Sequence, residues 1–454
     1  MGLQIWLSLN GNLDNQGLSE INFSSNYSPS YADGKIGKCM NGETTISFSP
    51  SSTITTAGIS ISMWVKSKEV SSSSTVWWKI AAIRYTNNTS HNIYTADSGN
   101  GRYKLEYSPS LNIYCNTQIW HHIVFTLEGS VLSGYLDGIK IGSSNEANDI
   151  RTVKSIDVGG NSNVWICDFR VYDTCISPYE IKQISQGLVL HYPLSSISEA
   201  QKLNNDTTVY DCSGFSNNGA INGTINWSDD TPRYSGSYIP ATASSYISTT
   251  LNTSGYANSY TFSYWAKISD MSGKMVWGFG NGNRLNAYPT GSAFCWNTGD
   301  GGNNPFKNNG MNVSFSSYNG SWHHYAITGD GTTTTLYIDG EKKGISSTYK
   351  SITGTQLYIS GWDTGTSYKW TNGNISDFRI YATCLSDEDI KELYQVSASV
   401  DKSGILSCYE FSDDGNNKIT KNGVISFSDL YESDDISSAG IGKDIIQANK
   451  FIEL

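Results

Sequence analysis

The feature that most constrains this chain is a phrase it contains twice. Trp120-His121-His122-Ile123-Val124-Phe125-Thr126 leads after a short loop into Gly134-Tyr135-Leu136-Asp137-Gly138-Ile139-Lys140-Ile141, and Trp322-His323-His324-Tyr325-Ala326-Ile327-Thr328 leads into Thr335-Leu336-Tyr337-Ile338-Asp339-Gly340-Glu341-Lys342. The two tryptophans lie 322 − 120 = 202 residues apart. Each phrase reads as a strand followed by a hairpin, because Asp-Gly supplies the positive φ that a type I′ turn requires. A unit repeated at this spacing predicts two copies of one β-domain.

The register holds along both copies. Ile59-Ser60-Ile61-Ser62-Met63-Trp64-Val65-Lys66 alternates with period two, and Tyr260-Thr261-Phe262-Ser263-Tyr264-Trp265-Ala266-Lys267 repeats it at 265 − 64 = 201. Asp168-Phe169-Arg170-Val171-Tyr172 matches Asp377-Phe378-Arg379-Ile380-Tyr381 at 377 − 168 = 209, so the preceding loops of copy two carry 209 − 202 = 7 more residues. A short helix closes each copy. Ser177-Pro178-Tyr179-Glu180 reads as N-cap, Pro at N1 and capping-box Glu, with Gly187 as the stop, and Ser386-Asp387-Glu388-Asp389 opens the second helix in the same way. These signals place copy one at residues 1–187, copy two at 188–395 and a tail at 396–454. Inside the tail, residues 424–432 are echoed by 445–453. Two strands cannot bury a face alone, so the β-rich tail is expected to pack on copy two or to serve as an oligomerisation or attachment element.

Composition narrows the partners. The net charge is −11 and the isoelectric point about 5.0, which excludes a nucleic-acid backbone or an anionic membrane as the main target, since both select a positive field. No apolar run is long enough for membrane insertion, and the N-terminal Met1-Gly2-Leu3-Gln4-Ile5-Trp6-Leu7 lacks a signal peptide's basic region and reads as a first strand. The 8 cysteines include no CxxC pair and read as reduced, mostly buried thiols, as in a protein assembled in a cytoplasm.

The phrases Ile61-Ser62-Met63-Trp64-Val65, Trp120-His121-His122 with Leu136-Asp137-Gly138, and Asp168-Phe169-Arg170-Val171-Tyr172, each present twice, together with Asp211-Cys212-Ser213-Gly214, resemble the laminin-G-like, concanavalin-A-like jelly roll. The resemblance covers residues 1–395 and implies an all-β fold of two tandem β-sandwich jelly rolls plus the tail. The tandem layout and short repetitive tail also resemble tail or other virion proteins of phages and prophages of gut bacteria. That likeness implies a virion location, assembly in the bacterial cytoplasm, other virion proteins as partners, and a homo-oligomer, a trimer being one arrangement open to it.

Glucanase relatives of this fold carry alternating acidic residues on one strand, and no strand here has them, so the expectation is a protein that is not an enzyme. Adjacent strand residues face opposite sides, so His121 and His122 cannot chelate one ion, nor can His323 and His324; one of each pair should be packed and the other exposed, with Trp120 and Trp322 in the core. The resemblance implies a structural Ca²⁺ held in copy two by Asp211, Asn217, Gly219 and Asp377, whereas the copy-one turn Asp14-Asn15-Gln16-Gly17 departs from that pattern.

A sugar site needs flat aromatic faces and hydrogen-bonding side chains. Tryptophans shared by both copies, Trp64 with Trp265 and Trp120 with Trp322, read as scaffold. The unshared ones, Trp77, Trp78, Trp165, Trp277, Trp296, Trp362 and Trp370, are the glycan-binding candidates, with Asp300 and Asp363 and with Tyr85, Asn87, Asn88, Tyr94, Asn297, Asn303 and Asn304 around them. The expected function is non-enzymatic adhesion to cell-surface or mucosal glycans; the alternative is a structural virion component, a decoration or fibre subunit, whose jelly rolls make protein contacts.

Overall fold

A computed structural model describes residues 3–67, 77–99, 102–107, 111–146, 150–160, 164–194, 207–211, 213, 215, 217–232, 237–240, 242, 244–269, 276–280, 286–290, 293–297, 317–346, 351–352, 354–361, 373–399, 410–411 and 419–420. The chain divides into two compact units, Met1–Gly187 and Leu188–Leu454. Each is a sandwich of two antiparallel sheets, one eight-stranded and one seven-stranded among the described residues.

In copy one the first sheet runs in the order Ile139–Asn145, Val131–Leu136, His121–Glu128, Gly58–Ser67, Val164–Tyr172, Lys38–Asn41, Tyr31–Asp33, and Leu3–Leu7 also pairs with Val164–Tyr172. The second sheet runs Leu111–Asn116, Arg102–Tyr107, Ser90–Gly99, Trp77–Tyr85, Val153–Val158, Ile46–Pro50, Ile21–Phe23. Period-two alternation turns Ile61, Met63, Phe125 and Phe169 of the first sheet and Phe48, Ile83, Ile113 and Ile156 of the second into one shared core. Copy two repeats the layout with Gly373–Tyr381 and Tyr260–Ile268 at the centre of its first sheet and Gln356–Ile359 and Trp277–Gly280 within its second.

The closing helices form as their caps dictate. Ser177 and Glu180 make both bonds of the capping box ahead of Pro178–Ser185, and Ser386 with Asp389 does the same at Asp387–Ser399. Each helix covers the outer face of its first sheet. Ile181 packs with Val124, Tyr135 and Tyr172 in copy one, and Ile390 and Leu393 pack with Ala326, Tyr337 and Tyr381 in copy two.

The repeated phrase proves to be one hydrogen-bonded device. Asp137 and Asp339 hold the left-handed backbone of the hairpin, at φ 50° and 54°, followed by Gly138 and Gly340 at 83° and 74°. The carboxylate of Asp137 reaches back to accept from the His122 backbone N–H at 2.8 Å and pairs with His121 Nδ1 at 2.7 Å. Asp339 does the same with His324 N–H at 2.9 Å and His323 Nδ1 at 2.6 Å. The second histidine of each pair lies on the other side, within 2.8 Å of Ser62 Oγ or Ser263 Oγ. Two expectations are corrected here. Neither His121 nor His122 is exposed, because the turn aspartate captures the histidine that alternation alone would leave in water. Trp120 and Trp322 are half-buried rather than core, and Trp322 Nε1 donates to the exposed Asp230 at 2.8 Å.

Among the described cysteines, Cys39, Cys115 and Cys167 are buried, Cys175 half-buried and Cys384 exposed. Of residues 396–454, 396–399 complete the closing helix Asp387–Ser399, past the expected boundary at 395, and beyond them only the paired Glu410–Phe411 and Ile419–Thr420 are described; the echoing segments 424–432 and 445–453 lie outside the described residues.

Candidate functional site

The four residues expected to hold Ca²⁺ are spent on the protein itself. Asp211 accepts from the backbone N–H groups of His191 and Ser213 with Oδ1 and from Asn217 N–H and Ser213 Oγ with Oδ2, all at 2.8–2.9 Å. Burial pushes its carboxyl up against the pull of these donors. The Asn217 carbonyl accepts from Tyr192 Oη and Thr249 Oγ1. Gly219 sits in a sheet ladder where a Cβ would lie 2.6 Å from Ile247 Cγ2. Asp377, buried and left-handed at φ 53°, accepts from His191 Nε2 at 2.9 Å and from Arg379 Nε at 2.7 Å.

Copy one explains the arrangement. There Asn15 Oδ1 accepts from the N–H groups of Trp6 and Gly17 at 2.7 and 3.1 Å, so a neutral amide performs the part Asp211 plays. Asp168 takes the indole N–H of Trp6 at 2.7 Å and the Arg170 guanidinium at 2.9 and 3.0 Å, as Asp377 takes His191 and Arg379. A hard dication needs unspent, uncompensated oxygens. With the Asp211 carboxylate filled by four donors and Asp377 beside a guanidinium, this donor set does not fit Ca²⁺. Among the described residues no group of three or more His, Cys, Asp or Glu side chains comes together to hold a metal.

The glycan candidates are divided between the two copies. Trp277 is corrected: it is fully buried, with its ring 4.6 Å from Phe262, 5.5 Å from Phe378 and 6.1 Å from Tyr264, and it offers no face to a sugar. Tyr85 is likewise core, 2.7 Å from His91 Nδ1 and beneath the Arg151 guanidinium. Trp165 is half-buried on the first sheet of copy one, paired with Asn41 and Lys66. Trp77 and Trp78 lie on the strand Trp77–Tyr85 of the second sheet, and Trp296 on Ala293–Asn297; their side chains lie outside the described residues, as do Asp300, Trp362, Asp363, Trp370, Asn303 and Asn304 altogether. Asn87 and Asn88 form the exposed turn after Tyr85, where Asn87 Oδ1 accepts from Thr89 N–H and Oγ1.

What the fold does assemble is the outer face of the second sheet in copy one. Ile156 and Val158 point into the core, so Asp157 between them points out. Its carboxylate accepts from Ser47 Oγ at 2.8 Å and Arg84 Nη2 at 2.6 Å, with Lys79 Nζ at 3.4 Å. The Asp157 side chain is only 4% exposed, while that of Arg84 is 50% and that of Lys79 30% exposed. Burial raises the Asp157 pKa, but the bonds from Arg84 and Ser47 outweigh it and the carboxyl ends below its ordinary value. Across the same face run Asn92 and Tyr94, then Lys104 and Arg102, then the exposed Asn112, Tyr114 and Asn116, with the Arg102 guanidinium 5.7 Å from the Tyr114 ring centre. Aromatic planes, amides and cations thus share one pleated surface.

Sequence reasoning missed most of this row. The signal was present in Leu111-Asn112-Ile113-Tyr114-Cys115-Asn116, whose strict alternation puts two amides and a tyrosine opposite three core residues. Ranking tryptophans alone passed over it.

The family model described as the concanavalin A-like lectin/glucanases superfamily matches twice, at residues 41–182 and 241–391. No curated protein sequence is similar to the chain. Among solved structures, similarity extends to domain 4 of AbnA, a GH43 extracellular arabinanase from Geobacillus stearothermophilus, in complex with arabinotriose, at 20% identity over 40% of this chain and 98% of that one, with a TM-score of 0.29. The SAP-like pentraxin of Limulus polyphemus is similar at 12% identity over 36% of this chain and 80% of that one, TM-score 0.25. The receptor-binding domain of botulinum neurotoxin C/D mosaic serotype is similar at 12% identity over 85% of this chain and 97% of that one, TM-score 0.33. With both copies matched, and four antiparallel sheets forming their two sandwiches, the chain belongs to the concanavalin A-like lectin/glucanases superfamily as a tandem pair of its domains.

Proposed function

We propose that the chain is a non-enzymatic carbohydrate-binding adhesion protein, and that the outer face of the second sheet in copy one is its glycan-binding surface. One observation carries the reading. The first sheet of copy one is roofed by its closing helix, whereas the second exposes Asn112, Tyr114 and Asn116 in a row, with half-buried Tyr94 two strands away and exposed Arg84 three strands away. A tyrosine ring suits the C–H face of a sugar and amides suit its hydroxyls. The absence of catalysis is supported by Asp157, the buried carboxylate of this face, which is committed to Arg84 and Ser47 and held below its ordinary pKa, unsuited to act as a general acid. The wider setting, a phage or prophage virion meeting cell-surface or mucosal glycans, is supported by the tandem layout and repetitive tail.

The test is a glycan array probed with the full chain and with Tyr114→Ala. Binding to a defined set of glycans, weakened about tenfold or more in the variant with its circular dichroism unchanged, supports the reading; tenfold corresponds to about 1.4 kcal/mol. A blank array overturns it and favours a structural virion component whose sandwiches make only protein contacts.

A further inference from the structure

We infer that the ligand of this face is an acidic glycan, one bearing carboxylate or sulfate groups, and that Arg84 and Lys79 receive its anionic group. The inference rests on the carbohydrate-binding reading and narrows it to a chemical class.

The chain as a whole carries −11, and Glu106 holds the register position between Tyr94 and Asn112, yet where Trp77–Tyr85 meets Val153–Val158 two cations share the carboxylate of Asp157. Asp157 is nearly buried, so its negative charge is hidden behind the guanidinium and ammonium groups, which project outward at 50% and 30% exposure. Asp157 grips Arg84 through Nη2 at 2.6 Å and Nε at 3.1 Å, leaving the Nη1 side of the fork for an incoming anion. A guanidinium braced this way is pre-organised. It loses little rotamer freedom when it accepts a second, planar anionic partner.

The surroundings favour a sugar over other anions. Arg102, exposed, and Lys104, half-buried, stand on the same face two strands away, and Tyr114 lies on the strand beyond them. Arg84 aligns with Ser90 and Tyr114 with Ala96, so the two are three strand spacings apart across the sheet and six residues apart along it, about 24 Å in all; Lys79, aligned with Tyr94, is about 16 Å from Tyr114. That span fits an oligosaccharide of several residues with its anionic group on Arg84 and Lys79 and a ring against Tyr114. A nucleic acid would require a far more extended positive field than an acidic protein offers.

Copy two lacks the feature. Tyr358 occupies the place of Asp157 and Gly280 that of Arg84, because Tyr358 pairs with Gly278 as Asp157 pairs with Ala82. Among the described residues the cationic centre belongs to copy one.

The experiment is an array of matched oligosaccharides, neutral, uronate-containing, sialylated and sulfated, probed at low and high salt with three full-length proteins. These are the parent, Arg84→Gln, and the doubly neutral Asp157→Asn/Arg84→Gln, which leaves no stranded buried carboxylate. Expected are binding of acidic members at least about tenfold tighter than of their neutral counterparts, weakening of that binding as salt rises, and loss of the preference in both variants. Response of the carboxylated or of the sulfated arm identifies the source of the anion, and either supports the inference. Equal binding of acidic and neutral members, or variants that keep the parent's preference, overturns the inference while the carbohydrate-binding reading stands. If no glycan of any charge is bound, both fall.

Discussion

The two copies share a frame and fill it differently. At four equivalent core positions copy one places Ile61, Met63, Ala81 and Ile123 where copy two places Phe262, Tyr264, Trp277 and Tyr325. The Met63–Ile123 pair becomes Tyr264–Tyr325, larger on both sides, while two other cross-strand pairs compensate. Ile61 faces Phe125 across the sheet, and Phe262 faces Ile327; Ile59 faces Leu127, and Tyr260 faces Gly329. A Cβ on Gly329 would lie 2.5 Å from the Tyr260 ring, so the glycine is there to make room for the tyrosine. A core keeps its pattern while individual residues change, and at the Ile61–Phe125 and Ile59–Leu127 pairs the change in one side chain is matched by its cross-strand partner.

The largest effect is expected at Trp277. Trp277→Ala should cost about 3–5 kcal/mol and lower the unfolding midpoint of copy two, because the fully buried indole touches both sheets and leaves a cavity. A copy-two transition that does not move in a denaturant titration would show that the aromatic core is not packed as described.

Acid should act next on copy one. His122 is fully buried against Ser62 Oγ, and burial holds its pKa down to about 4 from an ordinary 6.5. Neutral His122 is the folded form, so its contribution is complete above pH ~6.5 and is lost as pH falls towards ~4, about 3 kcal/mol in all. His122→Gln should flatten the pH dependence of the copy-one midpoint over that window; an unchanged slope would contradict it.

Gly329→Leu comes third, at about 1–3 kcal/mol of overpacking. Adding Tyr260→Ile rebuilds the copy-one pair and should recover most of the loss. If the double variant is no more stable than Gly329→Leu alone, the pairwise compensation is wrong.

The smallest effect separates two roles for Asp211. Asn15 makes the equivalent of the two Oδ1 bonds in copy one, but an Asn at 211 turns its NH2 toward the Asn217 N–H from which Oδ2 accepts, so Asp211→Asn should cost about 1–2 kcal/mol. Adding Ca²⁺ should shift the melting of neither protein. A Ca²⁺-dependent rise that Asp211→Asn abolishes would restore the metal site.

These comparisons also show what the sequence made legible. The repeat, the strand period, the capping boxes and the Asp-Gly turns are local signals, and each led directly to an element. The site was harder. Sorting tryptophans into shared and unshared treats each position alone, and Trp277 is unshared because its neighbours Phe262 and Tyr264 changed with it, not because it meets a ligand. Trp322, shared, is half-buried with its indole on Asp230. The Asp157, Arg84 and Lys79 cluster joins strands 73 and 78 residues apart in the chain, a distance over which no local periodicity carries information. The histidine pairs were legible as scaffold, but the carboxylate that buries His121 depends on a turn folding back across 16 residues.

The central claim is that ligand binding belongs to the exposed second-sheet face of copy one. The most direct measurement is amide chemical-shift mapping of the isotope-labelled full chain, titrated with acidic oligosaccharides. Shifts concentrated at residues 79–94 and 102–116, with Arg84 and Tyr114 among the largest, are the predicted result. Shifts centred on copy two or on the helix-covered first sheet would contradict it.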